Sequence, residues 1–219
     1  TETLKFDRYS ILAEVTAIVE VEPDEIWVAA DHLFRIKAGK ISRVDDIKEQ
    51  VSQLEATADH IWVTSNKWLY KIDRAGTVSK MALPTDIAQR PVYDLLMIND
   101  KLHLATEQGY FHLEDGVIER CTLPVAAGTQ VYKLFRDHQD SDWVSSFSQL
   151  FHRHQGQAWQ VISRDDLGSS TLFNDIYQDK QQNVWLGSFS DGLYRASRSK
   201  IKRVLAKGSK DDVVRSVAL

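Results

Sequence analysis

The chain has 219 residues, of which 43% are hydrophobic, and a formal net charge of −4. That apolar fraction is ordinary for a globular core, and the mild acidic balance, with Lys and Arg scattered, argues against a nucleic-acid surface, which carries a basic excess. No apolar run approaches the roughly 20 residues of a membrane helix, and a single cysteine, Cys121, excludes an internal disulfide while leaving the compartment open.

In chain order, short apolar runs rich in β-branched and aromatic residues alternate with polar turns, which is the pattern of strands. Residues 3–9 read as an outer strand with no sheet in front of it. A first set of four strands covers 15–21, 25–30, 33–37 and 40–44. A second covers 51–56, 60–64, 68–72 and 77–81. A third covers 92–98, 101–106, 110–113 and 117–121. A fourth covers 131–135, 142–146, 150–154 and 158–162, and a fifth 172–177, 183–187, 193–196 and 201–205. Residues 212–219 read as one more inner strand. Glycine closes the last hairpin of the first four sets, at Ala38-Gly39, Ala75-Gly76, Asp115-Gly116 and Gln155-Gly156, as the positive φ of a tight hairpin requires. Residues 47–54 have weak helical spacing, but the strand register claims their second half.

The sets are copies of one another. Glu25-Ile26-Trp27-Val28 recurs as His60-Ile61-Trp62-Val63, Lys101-Leu102-His103-Leu104, Ser141-Asp142-Trp143-Val144 and Asn183-Val184-Trp185-Leu186. Their aromatic position steps through 27, 62, 103, 143 and 185, a spacing of 35 to 42 residues. Four strands per unit at a period near 40 predict an all-β chain, a β-propeller built of four-stranded antiparallel blades. We expect one domain over 1–219, with five full blades at about 14–45, 50–82, 91–123, 130–163 and 171–205 and partial strands at 3–9 and 212–219. Five blades with loose terminal strands imply a fragment or an incomplete ring, because an open arc exposes strand edges and blade faces that invite self-association. The start at Thr1, without methionine, is expected of a processed or cut product, so the lack of a signal segment says little about location.

Residues 174–179 (Asn-Asp-Ile-Tyr-Gln-Asp), followed by Asn183-Val184-Trp185-Leu186-Gly187 and Asp191-Gly192-Leu193-Tyr194-Arg195, resemble the repeat of two-component regulator propellers. Blade five matches it well; blades one, two and four match partly. Blade three, with His103 at the Trp position, matches poorly. The Gly-Gly that follows the second strand in the family is missing from blades one to four. The resemblance implies a periplasmic sensor region of an inner-membrane signalling protein, whose output is a histidine kinase or a GGDEF diguanylate cyclase. It also implies a non-enzymatic part that senses a carbohydrate or another small polar ligand, reaching the membrane only through other parts of the parent chain.

The loops after each second strand are expected to lie beside the inter-blade connections, where rigid blades position functional residues. They supply the candidate ligand-binding residues Asp31, His32, Asn66, Trp68, Glu107, Gln108, Phe147, Gln149, Phe189 and Asp191. These loops differ from one another, whereas a structural turn tends to repeat, and aromatics beside amides and carboxylates suit a sugar. Packing between blades is the simpler account of Trp68, Phe147 and Phe189, since most large apolar side chains are core. The strand tryptophans Trp27, Trp62, Trp143 and Trp185 recur at blade period and are expected between blades. His152 and His154 share a strand face but have no third ligand at a convincing spacing, so no metal is expected. Asp165-Asp166 and Asp211-Asp212 read as turns between blades. The stretch from Asp179 to Asn183 lacks the alternating carboxylates and glycine of a calcium loop.

No phosphate-binding glycine loop, nucleophile elbow or cofactor motif occurs, and no catalytic residue is assigned. A propeller enzyme, a lyase or a glycosidase, is the rival reading: streptogramin lyases also carry a Trp-centred second strand and use a histidine on the ligand face, for which His32 is the nearest candidate. A protein-interaction scaffold is the third.

Overall fold

The structure is a computed structural model that describes residues 11, 13–147, 149–163, 167, 172–197 and 200–203. The expected strands at 3–9 and 212–219, the 204–205 end of the last strand, Ser148, Asp165-Asp166 and Asp211-Asp212 lie outside the described residues.

Among the described residues, twenty strands form five sheets, each antiparallel and in simple sequence order. The first sheet holds β1 (Ala17–Glu22), β2 (Glu25–Ala29), β3 (Leu33–Lys37) and β4 (Lys40–Arg43). The second holds β5 (Val51–Ala56), β6 (His60–Ser65), β7 (Trp68–Asp73) and β8 (Val78–Ala82). The third holds β9 (Val92–Ile98), β10 (Lys101–Thr106), β11 (Gly109–Glu114) and β12 (Val117–Arg120). The fourth holds β13 (Val131–Arg136), β14 (Ser141–Ser146), β15 (Gln149–His154) and β16 (Gln160–Ser163). The fifth holds β17 (Phe173–Gln178), β18 (Val184–Ser188), β19 (Leu193–Ser197) and β20 (Lys200–Arg203). These are the blades of an all-β propeller fold.

Local chemistry explains the hairpins. Asp115 and Gly116 carry φ of 48° and 79°. Positive φ at both central residues is the type I′ turn that matches strand twist. A second regularity was not expected from the sequence. In blades two to five the register of the first strand slips by one residue, leaving Ser52, Tyr93, Tyr132 and Asn174 at β-bulges. A bulge bends its strand and re-aims its side chains.

The chain divides into two compact units, Thr1–Leu83 and Pro84–Leu219. In the first, β5 packs against β1 and β2. Trp27, Ala29 and Leu33 meet Val51, Leu54, Ile61 and Val63 there, forming a buried core. In the second, β13 lies between β9 and β17. One face of the fourth blade contributes Val131, Leu134, Val144 and Phe151 to a core with Ala105 and Tyr110. Its other face contributes Trp143 and Leu150 to a core with Phe173, Ile176, Leu186 and Tyr194. The strand period of two puts alternate residues on opposite faces, so one blade serves two cores. Trp159, expected inside a strand, precedes β16 instead, its ring edge-on to Tyr110 and Phe151.

Candidate functional site

Four of the five loops after a second strand are anchored the same way. Ser65, Thr106, Ser146 and Ser188 end β6, β10, β14 and β18. Thr106 Oγ1 donates to the Gly109 carbonyl at 2.9 Å and accepts from the Gln108 amide at 3.1 Å. Ser146 Oγ bonds the Gln149 carbonyl at 2.9 Å and its amide at 3.0 Å. Ser188 Oγ bonds the Gly192 carbonyl at 2.7 Å and the Asp191 amide at 2.9 Å. Ser65 does likewise at Trp68, at 3.4 and 3.1 Å. Such hydroxyl clamps stand in for backbone hydrogen bonds in a tight loop. The column Ala30, Ser65, Thr106, Ser146, Ser188 is visible in the sequence once the repeat is aligned, and its hydroxyl repeats in every blade but the first, where Ala30 has none.

The residues after the clamp are the variable ones. In the unit Thr1–Leu83, Asp31 and Asn66 are exposed, and His32 Nδ1 lies 3.2 Å from Asp31 Oδ2. Trp68 does not stand free: it packs on the core of that unit, with Lys80 Nζ 4.4 Å from its ring centroid. In the unit Pro84–Leu219, the amides of Glu107, Phe147 and Phe189 donate to the carbonyls of Pro91, Gln130 and Leu172, at 3.1, 3.0 and 3.0 Å. Each loop is thereby tied to the start of its own blade's first strand. Phe147 and Phe189 are 53% and 56% exposed, so packing between blades does not account for them. Gln149 is half-buried within its clamp. Asp191 is buried, and its Oδ2 accepts the Tyr194 hydroxyl at 2.7 Å, which makes it part of the loop scaffold. Gln108 gives its carbonyl to Arg120, whose guanidinium also holds Asp86 at 2.9 Å.

The bulges bring in residues the sequence reading left as plain strand. Tyr93 and Tyr132 form a tilted pair with ring centroids 4.8 Å apart and an interplanar angle of 35°. The Tyr132 hydroxyl donates to Gln130 Oε1 at 2.7 Å. Glu107 is held by Arg90 at 2.8 Å. Partial burial raises the pKa of both phenols, and the nearby Glu107 carboxylate adds to the rise, so both stay neutral donors. Behind them Asp94 Oδ2 accepts the Leu134 amide at 2.9 Å and faces Lys133 Nζ at 3.3 Å, while Lys133 Nζ lies 3.9 Å from Asp175. Burial raises the Asp94 pKa, and Lys133 opposes the rise. The outcome is a neutral aromatic pair beside a carboxylate, an amide and a fixed charge row. The available signal was the residue after the first apolar position of each first strand: Ser52, Tyr93, Tyr132, Asn174.

The strand tryptophans have structural partners. The indole N–H of Trp27 donates to Glu25 at 2.9 Å, that of Trp143 to Asp137 at 2.9 Å and that of Trp185 to Asp179 at 2.8 Å. Each pairs across β2–β3 or its equivalent with a basic side chain or a histidine: Arg35, Lys71, His152 and Arg195 face Trp27, Trp62, Trp143 and Trp185, and His112 faces His103. His152 lies tilted against Trp143 with ring centroids 4.2 Å apart, and His154 Nδ1 lies 3.2 Å from Ser141 Oγ. Asp179 accepts the Asn183 amide and side chain, both at 2.8 Å, and so builds a turn.

One known family matches part of the chain, at the blade-five motif. Residues 166–190 match the two-component regulator propeller. Among solved structures, the extracellular domain of a putative hybrid two-component system from B. thetaiotaomicron superposes with a TM-score of 0.75 at 14% identity, over 92% of this chain and 30% of that one. The chain thus spans under a third of that relative. Virginiamycin B lyase from Staphylococcus aureus superposes at 0.74 and 14% identity, over 90% of this chain and 72% of that one. An ancestral GH74 enzyme superposes at 0.70 and 11%, over 90% and 34%. At such identities the likeness is one of fold. Comparison with curated proteins gives no match.

Proposed function

We propose that this chain is a sensory, non-enzymatic segment of an extracytoplasmic signalling protein, binding an oligosaccharide or similar polar ligand at the loop end of the unit Pro84–Leu219. The observation that carries this reading is the Tyr93–Tyr132 pair beside Glu107 and Gln130. Binding sites of this kind join a rigid aromatic surface to a few placed polar groups. The exposed Phe147 extends the apolar surface of the same blade end. The regulator-propeller match at 166–190 and the fold likeness to an extracellular two-component domain support the sensory half of the reading.

Titration calorimetry of the chain against neutral and acidic oligosaccharides is the test. At least one is expected to bind saturably and remain uncleaved. The double variant Tyr93→Ala, Tyr132→Ala should bind it at least tenfold more weakly, about 1.4 kcal/mol. Trp68→Ala, in the other unit, should leave the affinity unchanged. Binding that survives the tyrosine variant, or cleavage of any sugar, overturns the reading.

A further inference from the structure

The junctions between blades follow one rule. Where blade one meets blade two, Trp27 and Leu33 pack on Leu54, Ile61, Val63 and Tyr70. Where blade four meets blade five, Trp143 and Leu150 pack on Ile176, Val184, Leu186 and Tyr194. In both, the tryptophan face of one blade covers the opposite face of the next, so the contact joins two unlike surfaces.

Blade one repeats that opposite face and leaves much of it open. Ile18 pairs with Val28 and Val28 with Phe34, as Leu54 pairs with Val63 and Val63 with Tyr70. Ile26 stands where blade two has Ile61, one residue before the tryptophan. Yet Ile18 is 65% exposed where Leu54 is 8%, and Ile26 is 38% exposed where Ile61 is 3%. Val28, in the middle of the sheet, is buried, and Phe34 is half-buried. Ile26, Ile36 and Ile41 lie opposite one another across β2, β3 and β4, and Ile41 is exposed as well. Single exposed apolar side chains are ordinary, whereas a contiguous set on one face marks an interaction surface.

The complementary face lies on blade five. Tyr177 pairs with Trp185 and Trp185 with Arg195, as Val19 pairs with Trp27 and Trp27 with Arg35. Trp27, Trp62 and Trp143 are buried, but Trp185 and Tyr177 are half-buried and Arg195 is exposed. Charge matches as well. Arg35 and Ile61 line one cavity where blade one meets blade two. An equivalent junction puts Arg195 beside Ile26 and its cross-strand neighbour, the exposed Glu20.

We propose that blade one docks the tryptophan face of blade five from a second copy of this chain, head to tail. Ile18, Ile26 and Ile41 are then covered as Leu54 and Ile61 are. Glu20 meets Arg195, which has Asn183 in its own blade at the position where Glu25 holds Arg35. Each copy offers one face of each kind, so the association is heterologous and continues past two chains.

Sedimentation velocity of the chain over a wide range of concentration is the test. The mass is expected to rise with concentration above that of one chain. Ile18→Asp, which spoils the accepting face, and Arg195→Glu, which sets two carboxylates together, should each weaken association at least tenfold. Both side chains are exposed, so unchanged melting temperatures are expected; should Ile18→Asp not fold, Glu20→Arg, which sets two cations together, takes its place. Mixing the two variants restores one sound contact, between blade five of the Ile18→Asp chain and blade one of the Arg195→Glu chain. The mixture should therefore form a dimer of native affinity and grow no further. A chain that stays single at every concentration overturns the proposal and leaves the face to a different partner. Association that survives the blade-one variant, or a mixture no tighter than its components, overturns it as well.

Discussion

Glu25 shows how one residue secures a blade. Its carboxylate accepts the Trp27 indole at 2.9 Å and an Arg35 guanidinium N–H at 2.8 Å, and lies 2.7 Å from Lys37 Nζ. The Arg35 bond, with Lys37 and Trp27 behind it, holds its pKa at about 2, against an ordinary 4.5. A depressed carboxylate contributes stability that is full above pH 4.5 and fades as pH falls towards 2. The shift alone corresponds to about 3 kcal/mol, which solvent around the partly exposed Arg35 and Lys37 reduces to about 1–3 kcal/mol. Urea unfolding of the native chain and Glu25→Gln should therefore differ by that amount at pH 7 and converge near pH 2. A difference independent of pH would assign the effect to packing instead. Asp137 and Asp179 play the matching part for Trp143 and Trp185, so the repeated tryptophan comes with a repeated acceptor that moves between two places in the turn.

At the scale of the element, the bulged first strands do the joining. Asp94 on β9 reaches the backbone and the Lys133 ammonium of β13, and Lys133 in turn approaches Asp175 on β17. A buried carboxylate stripped of its cation is costly. Lys133→Met should lower stability by about 3 kcal/mol at pH 8. Because burial already raises the Asp94 pKa, acid relieves the variant by protonating that carboxyl, so the loss should shrink as pH is lowered. Denaturation curves of both chains at pH 8 and pH 5 measure this; a loss that grows towards acid would show that the ion pair is not what joins the strands.

For the whole molecule, the decisive fact is that each compact unit owns its cores: Trp27, Leu54 and Tyr70 in one, and Phe151, Trp143 and Tyr194 in the other. Small single-core domains unfold in one step, and chains with separate cores depart from that. Scanning calorimetry is expected to resolve two transitions, with Leu54→Ala moving one and Phe151→Ala the other. A single transition moved equally by both would mean that the chain melts as one cooperative body. The same scale limits what fold says about function: one blade architecture serves a two-component extracellular domain and a lyase at the same 14% identity to this chain, so function has to be argued from sites.

By itself, the sequence determined the blade. A strand alternates faces with a period of two, and a four-stranded unit must repeat to bury its apolar side, so Trp27, Trp62, Trp143 and Trp185 mark the blades without any coordinates. It also showed which loops vary, because Asp31, Asn66, Glu107, Phe147 and Phe189 follow one repeated position. Which of the candidates face solvent was decided only by tertiary structure. Trp68 turns onto a core while Phe147 and Phe189 stay exposed, and Asp191 is taken up by Tyr194. Nor did Tyr93 and Tyr132 announce themselves. The tyrosines meet across two blades because a one-residue bulge re-aims each strand. Periodicity fixes which face a residue belongs to. The partner it finds there depends on register, bulges and the neighbouring blade, which are set when the chain packs.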